Sequence, residues 1–139
     1  MDLAKFTERA RGFIQAAQTI ALREDHQRLE PTHVLKALLD DPEGLSSNLI
    51  ARAGGDTKRV REHIEAEIAK MPKIIGDNVP IVLDNATVKV IAESEKLATK
   101  AKDQFVTVER LLTAISLVKS AAKSALDNGN VTAQNLTAV

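Results

Sequence analysis

The chain carries one order of apolar and polar positions twice, separated by a shift of 77 residues. Residues 27–39, QRLEPTHVLKALL, fall on residues 104–116, QFVTVERLLTAIS, with Gln, Leu and Ala identical at the first, ninth and eleventh positions. Three further positions pair apolar with apolar: Leu29 with Val106, Val34 with Leu111 and Leu38 with Ile115. Because the order of apolar positions decides which face of an element is buried, this pattern predicts two copies of one helical unit and a junction between them.

Helical spacing of apolar residues divides each copy into four helices. Thr7 is placed to cap the first helix, and Pro31 suits the first position of the second because its missing N–H would go unused there. Asp56 or Thr57 caps the fourth, and Asp84, Thr107 and Thr132 begin the fifth, sixth and eighth. The predicted helices are 7–24, 31–40, 45–53, 57–71, 84–102, a sixth from 107, 120–126 and an eighth from 132.

The fifth helix is predicted to turn Val88, Val90, Ile91 and Leu97 inward. No stretch alternates apolar and polar residues as a half-buried strand would, so we predict an all-α fold without strands. The eighth helix stops at Val139, whereas its counterpart in the first copy continues through Ile64 and Ile68. This difference predicts that the chain continues in a longer protein.

Residues 73–83, the crossover segment between the copies, are unusually apolar for a connection. The apolar residues are Ile74, Ile75, Val79, Ile81, Val82 and Leu83. Loops usually avoid this composition because their backbone groups need water or other partners. We expect the segment to lie over the junction and seal the core. The alternative is that part of it stays exposed as an apolar patch.

Composition excludes several classes of function. Basic and acidic residues number 19 each, so there is no electrostatic footprint for nucleic acid or anionic lipid. The absence of cysteine excludes disulfides and thiolate chemistry, and the absence of Trp and Tyr removes stacking platforms. No apolar run is long enough to cross a bilayer and no signal pattern opens the chain. We expect a cytoplasmic protein with no nucleic-acid or membrane partner.

The residues of familiar catalytic and metal sites are also missing. There is no phosphate-binding loop, no dinucleotide fingerprint and no serine elbow, so the chain offers no catalytic residue. His26, His33 and His63 are scattered and no two are four residues apart. His63 and Glu67 could share a helix face, where a surface ion pair is a more ordinary arrangement than a metal site. We predict neither catalysis nor metal binding.

Two stretches carry a resemblance to a known family. Phe6-Thr7-Glu8-Arg9-Ala10 and residues 30–39, EPTHVLKALL, are similar to the N-terminal domain of Clp/Hsp100 AAA+ ATPases, and the similarity, including residues 1–3 and 48–54, extends over essentially the whole chain. The resemblance is strongest to the bacterial disaggregases. It implies a double Clp-N motif: two four-helix repeats related by a pseudo-two-fold axis, with repeat one at 1–72, the crossover segment at 73–83 and repeat two at 84–139.

The resemblance also implies a function. Such a domain would engage unfolded or aggregated polypeptide and pass it to an ATPase hexamer that works with the DnaK chaperone system. ATP and magnesium would belong to the full-length protein, and this chain would hold no cofactor. The alternative within the family is a domain that docks an adaptor protein for a protease-linked Clp ATPase.

Four residues are carried over from the family as the substrate-binding site. Thr7, Asp103 and Glu109 would form polar contacts at the rim of a shallow groove, and Ile91 would contribute to its apolar floor. Each also has a structural explanation: a helix cap, a turn, a favourable charge at a helix N-terminus and a core position. At residues 93 and 110, where relatives can carry leucine, this chain has Glu93 and Arg110, which place charge in the expected groove.

Overall fold

The computed structural model describes residues 2–76 and 80–139, and these residues form eight helices and two short strands. The first half contains α1 (Glu8–Arg23), β1 (Arg28–Leu29), α2 (Pro31–Leu39), α3 (Leu45–Arg52) and α4 (Thr57–Lys70). The second half contains β2 (Val82–Leu83), α5 (Asn85–Lys100), α6 (Val108–Leu117), α7 (Ala121–Asn128) and α8 (Ala133–Ala138). The predicted all-α class is confirmed.

The helices begin where capping residues predicted them to begin. The Thr7 hydroxyl oxygen accepts a hydrogen bond from the Ala10 N–H at 3.1 Å, and Asp56, rather than Thr57, accepts from Arg59 at 3.1 Å. Each such cap satisfies a backbone donor that the helix itself leaves unpaired, which is worth about 1 kcal/mol. Asp84, Thr107 and Thr132 cap α5, α6 and α8 in the same way.

The two central helices are the repeated stretch that the sequence picks out. Eight of the nine residues of α2 are buried, and α6 buries seven of its ten. Side chains of both repeats join one apolar core around these helices. A helix that is apolar nearly all round must be enclosed by others, which explains why this stretch is the best-matched part of the two copies.

The prediction that the chain has no strands is wrong at the junction between the repeats. β1 and β2 pair in parallel, with Arg28 opposite Val82 and Leu29 opposite Leu83. A separate parallel bridge joins Phe6 and Val106. Two-residue strands are too short to show alternation, and each pairing joins segments far apart in the chain.

These two pairings are equivalent under the shift of 77 residues. The Asp84 N–H donates to the Leu29 carbonyl oxygen at 3.1 Å, and the Thr7 N–H donates to the Val106 carbonyl oxygen at 2.9 Å. The residues just before α5 are therefore hydrogen-bonded to those just before α2, and the residues just before α1 to those just before α6. In both cases the first helix of one repeat is joined to the second helix of the other. The limits of the repeats and of the crossover segment stay predictions.

The crossover segment only partly covers the core. Ile81 and Leu83 pack against it, but Ile74, Ile75 and Val82 are exposed, with 85% of Ile75 accessible to solvent. For these three residues the prediction that they cover the core is wrong, and the alternative prediction of an exposed apolar patch is correct. Val79 lies outside the described residues.

The predicted inward position of Val88 is also wrong, since 49% of the residue is exposed. The buried face of α5 instead consists of Thr87, Val90, Ser94 and Ala98. Thr87 tolerates burial because its hydroxyl group donates to the Leu29 carbonyl oxygen at 2.6 Å. Thr87, a polar residue with a hydrogen-bond partner, is therefore buried at the start of α5, whereas hydropathy alone had predicted that Val88 would be.

Candidate functional site

Two of the four predicted site residues line one surface depression. It has a volume of about 340 Å³ and lies between the turn after α5, the start of α6 and α8. Asp103 and Glu109 are on its wall, whereas Thr7 and Ile91 are not. Its lining residues are Leu49, Asp103, Thr107, Glu109, Arg110, Leu112, Thr113, Leu136, Thr137 and Val139.

Asp103 is held by an arginine that the family resemblance treats as a departure. The Arg110 Nε–H donates to Asp103 Oδ2 at 2.9 Å, and about one third of each side chain is exposed. Arg110 therefore adds no uncompensated charge to the depression. A partly exposed pair of this kind contributes at most about 1 kcal/mol to stability, so its main effect is to fix the positions of both side chains.

Glu109 is the more available of the two carboxylates. It is exposed in the first turn of α6, where the helix dipole favours a negative charge. Within the described part of the chain its carboxylate makes no hydrogen bond or ion pair, while its backbone carbonyl accepts from the Thr113 hydroxyl at 2.8 Å. A ligand that donates hydrogen bonds can reach this carboxylate without displacing a protein partner.

Thr7 lies at the junction rather than in the depression. Its hydroxyl oxygen caps α1, and its N–H is bonded to Val106, which stands between Asp103 and Glu109 in sequence. The residue is half-buried. Both of these interactions are structural, and the hydrogen bond to Val106 attaches the start of α1 to the segment that carries the other two polar residues.

Ile91 is half-buried and packs against the core. It lies three residues from the exposed Val88, and residues three apart share a helix face. Glu93 is also half-buried but, two residues from Ile91, projects from a different part of the helix. In the turn before α6, 47% of Phe105 is exposed. Val88, Ile91 and Phe105 thus lie outside the lining of the depression, which includes the exposed apolar residue Val139.

Two histidines are in contact in a way that was not predicted from the sequence. His26 Nδ1 lies 2.8 Å from His33 Nε2, with 5% of His26 exposed and His33 fully buried. Burial lowers the pKa of His26, and it lowers the pKa of His33 to about 4. The signal was present in the repeat, because a shift of 77 residues places these histidines on Asp103 and Arg110.

One further pair singled out in the sequence lies on α4. His63 and Glu67 form the predicted surface contact, with His63 Nε2 3.7 Å from Glu67 Oε1. Among residues 2–76 and 80–139, no three histidine or carboxylate side chains converge as metal ligands. None of the described helices has the length and apolar character needed to span a bilayer.

The fold is a duplicated all-helical unit with a shallow depression and exposed apolar residues. Residues 5–129 match the family model of the Clp repeat (R) N-terminal domain, and the chain belongs to this family. That model describes an N-terminal repeat domain.

The relatives are more specific. The chain is 50% identical over 140 residues to the chaperone protein ClpB of Agrobacterium fabrum (strain C58), an alignment that covers 100% of this chain and 16% of that protein. The expected similarity to the N-terminal domain of Clp/Hsp100 ATPases is confirmed, and the chain spans about one sixth of the length of the ClpB proteins that it matches.

Solved structures confirm the fold. The N-terminal domain of Hsp104 from Candida albicans superposes with a TM-score of 0.81 at 20% identity, covering 96% of this chain and 87% of that one. A ClpV N-domain in complex with a VipB peptide superposes with a TM-score of 0.74 at 16% identity, covering 98% and 87%. At these identities the likeness establishes architecture alone.

Proposed function

We propose that this chain is the substrate-engaging N-terminal domain of an ATP-dependent disaggregase of the ClpB type. It binds unfolded or aggregated polypeptide and passes it to an AAA+ ring. The observation that carries the proposal is the 50% identity to ClpB over the whole chain. ATP, magnesium, the hexamer, the DnaK system and a cytoplasmic location belong to the same proposal, and the first four act through other parts of the full-length protein.

The depression around Glu109 supports the binding step. An unfolded chain presents many unpaired backbone N–H groups, and the Glu109 carboxylate is an exposed acceptor for them. The neighbouring Asp103–Arg110 pair offers both acceptor and donor groups at a fixed position. Phe105 and Val88 expose apolar surface to aliphatic or aromatic side chains of the client.

These features fit a weak and permissive binder. The contact area is small, and a disordered client loses conformational freedom when it is held, so much of the contact energy is offset. Arg110 cancels the charge of Asp103, which leaves Glu109 as the unpaired charge of the three. The site therefore favours clients by exposed backbone and apolar content more than by net charge.

The test compares two glutamates. Binding of a permanently unfolded polypeptide, reduced and carboxymethylated lactalbumin, is measured by fluorescence anisotropy with wild type, Glu109→Gln and Glu62→Gln. Glu62 is an exposed helical glutamate on α4, remote from the depression in sequence. We expect Glu109→Gln to weaken binding about three- to tenfold, in keeping with the loss of a charged hydrogen bond, and Glu62→Gln to leave it unchanged. Equal affinities for all three proteins would contradict the proposal.

The adaptor-docking alternative stays a prediction, and the same titration addresses it. An adaptor platform binds one folded partner with a defined stoichiometry and shows no affinity for the unfolded polypeptide. Saturable binding of the unfolded chain, with competition by chemically different unfolded chains, separates the client-binding function from it.

A further inference from the structure

The buried histidines form a directed chain of hydrogen bonds. The Glu30 N–H donates to His33 Nδ1 at 3.0 Å, so this nitrogen carries no proton. A neutral His33 then carries its proton on Nε2 and donates to His26 Nδ1 at 2.8 Å. A neutral His26 in turn carries its proton on Nε2, which is buried and has no acceptor within the described residues.

Neither ring can accept a second proton in this arrangement. A proton added to His26 would sit on Nδ1 and face the Nε2–H of His33. A proton added to His33 would sit on Nδ1 and face the Glu30 N–H. Because both rings are enclosed in close-packed surroundings, a ring can turn away only when the segments packed around it separate. Protonation is therefore coupled to local opening.

The residues beside His26 hold both ends of the crossover segment. The Ile74 N–H donates to the Asp25 carbonyl oxygen at 2.8 Å, and the Val82 N–H donates to the Gln27 carbonyl oxygen at 2.9 Å. His26 and Ile74 also line two surface depressions together, one with Met71 and Pro72 and the other with Leu22 and Ile81. Movement of His26 thus loosens the attachment of the crossover segment.

Charged groups from several elements face this pair. Glu24 and Asp25, at the end of α1, favour a proton on His26, whereas Lys73 of the crossover segment opposes it. Lys73 Nζ lies 3.5 Å from Glu24 Oε2, so the acid and the base largely compensate each other. Burial is the dominant influence on both rings. Around Glu30, at the start of α2, the facing charged groups are Arg28, Asp84 and, from α4, Glu67.

Repeat two provides an internal comparison. Its residues at the equivalent positions, Asp103 and Arg110, form an ion pair with Arg110 Nε 2.9 Å from Asp103 Oδ2. The equivalent backbone junction joins Phe6 to Val106 and has no histidine beside it. The two junctions share one backbone pairing, but only the first has a pair of histidines beside it.

We propose that His26 and His33 form a proton-operated latch that fastens the residues around Ile74, together with β2, to residues 25–29. When both are neutral, the latch is closed. Protonation of either ring opens it, releases the segment around Ile74 together with β2, and enlarges the apolar surface that Leu22, Ile74 and Ile75 already expose. The Phe6–Val106 junction stays closed. This proposal does not depend on the proposed function.

Amide hydrogen exchange of the 139-residue chain tests the latch, with rates measured by NMR between pH 7 and pH 5 and corrected for intrinsic exchange. The expected result is a fall of about tenfold or more in the protection of Ile74, Val82 and Asp84, with less than about a twofold change at Thr7 and Val106, since local opening acts only on the bonds it breaks. A parallel fall at both junctions, or no fall at the first, would overturn the proposal.

Variants remove the proton sites while keeping the hydrogen bond. In His26→Asn with His33→Gln, the new glutamine amide can donate to the new asparagine carbonyl, and neither titrates. We expect this double variant, checked for a native spectrum, to lose the pH-dependent fall in protection, while His63→Gln keeps it. Retention of the full effect in the folded double variant would overturn the latch. If the double variant does not fold, the comparison of the two junctions in wild type decides.

Discussion

Arg110 binds Asp103 through a 2.9 Å hydrogen bond, and these residues stand in repeat two where His33 and His26 stand in repeat one. The backbone positions are the same, but the chemistry differs. In repeat one the pair is neutral and enclosed, and it supports the junction. In repeat two it is charged, half-exposed and part of the wall of the candidate binding site. Equivalent positions of the two repeats therefore carry a buried pair in one copy and a partly exposed ion pair in the other.

Replacing Arg110 by leucine tests what this pair does to client binding. Arg110→Leu removes the ion pair and adds apolar surface to the depression. We expect affinity for the unfolded polypeptide to rise about two- to fivefold, while the free energy of unfolding changes by less than about 1 kcal/mol. Arg52→Leu, which adds the same side chain at an exposed position on α3, is the control for nonspecific stickiness. Weaker binding by Arg110→Leu would show that the arginine itself contacts the client.

The free energy of unfolding should fall as the pH falls from 7 to 5. Unfolded histidine has a pKa of about 6.5, and the pKa of folded His33 is lowered to about 4. Between these values the unfolded chain binds more protons, so acid favours unfolding. The stabilisation is fully present above pH 6.5 and is lost progressively toward pH 4. By linkage, His33 alone should cost about 2 kcal/mol by pH 5.

Urea unfolding at pH 7 and pH 5 measures this loss. The double variant His26→Asn/His33→Gln lacks both titrating rings and should show a much smaller change between the two pH values. Asp40 and Asp41, whose pKa values are lowered, act at more acidic pH and do not confuse the comparison. Identical stability of wild type at the two pH values would rule out the buried neutral pair.

Gly129 should resist substitution because the repeats meet at its α-carbon. A Cβ atom placed there would lie 2.4 Å from Val60 Cγ2 and 3.1 Å from the Asp56 carbonyl oxygen, and Asp56 N–H donates to the Gly129 carbonyl oxygen at 2.9 Å. Val60 is buried and stiff, so it cannot move aside easily. We expect Gly129→Ala to lower the free energy of unfolding by about 1–3 kcal/mol.

Gly12 is the matched control, since a Cβ atom there meets nothing within 4 Å and the residue lies inside α1. Gly12→Ala should stabilise the protein by up to about 1 kcal/mol through helix propensity. Thermal unfolding of the two variants gives the comparison. A neutral Gly129→Ala would mean that α4 and α7 are not packed as described.

Two variants separate the structural role of the Thr7 side chain from a role in client binding. Thr7→Ala and Thr132→Ala each remove a hydroxyl cap and should each destabilise the protein by about 1 kcal/mol. If Thr7 contacts clients, only Thr7→Ala also weakens binding of the unfolded polypeptide, measured well below the unfolding transition. Equal binding by both variants would leave Thr7 as a cap alone.

Local features of the chain predicted most of the fold. Apolar spacing and capping residues such as Thr7 and Asp56 locate the helices, because both signals act within a few residues. The junction was not predictable in this way. A two-residue pairing of Leu29 with Leu83, or a contact of His26 with His33 across a turn, depends on segments brought together only by the folded core.

The candidate site was predictable in part. The family resemblance named Asp103 and Glu109, and these two residues do line one depression. It could not show that the Asp103 carboxylate is already paired with the Arg110 side chain. Thr7 and Ile91 were expected in the same groove. The structure places Thr7 at the backbone junction and Ile91 partly in the core, because each side chain satisfies a packing or capping requirement first.

Chemical-shift mapping by NMR tests most directly whether the depression binds unfolded polypeptide. Reduced and carboxymethylated lactalbumin is titrated into the isotopically labelled chain, and shift changes are followed residue by residue. We expect saturable changes concentrated at residues 103–113 and 136–139, around the depression that contains Glu109. An absence of shift changes there, with or without changes elsewhere, would contradict the proposed binding site.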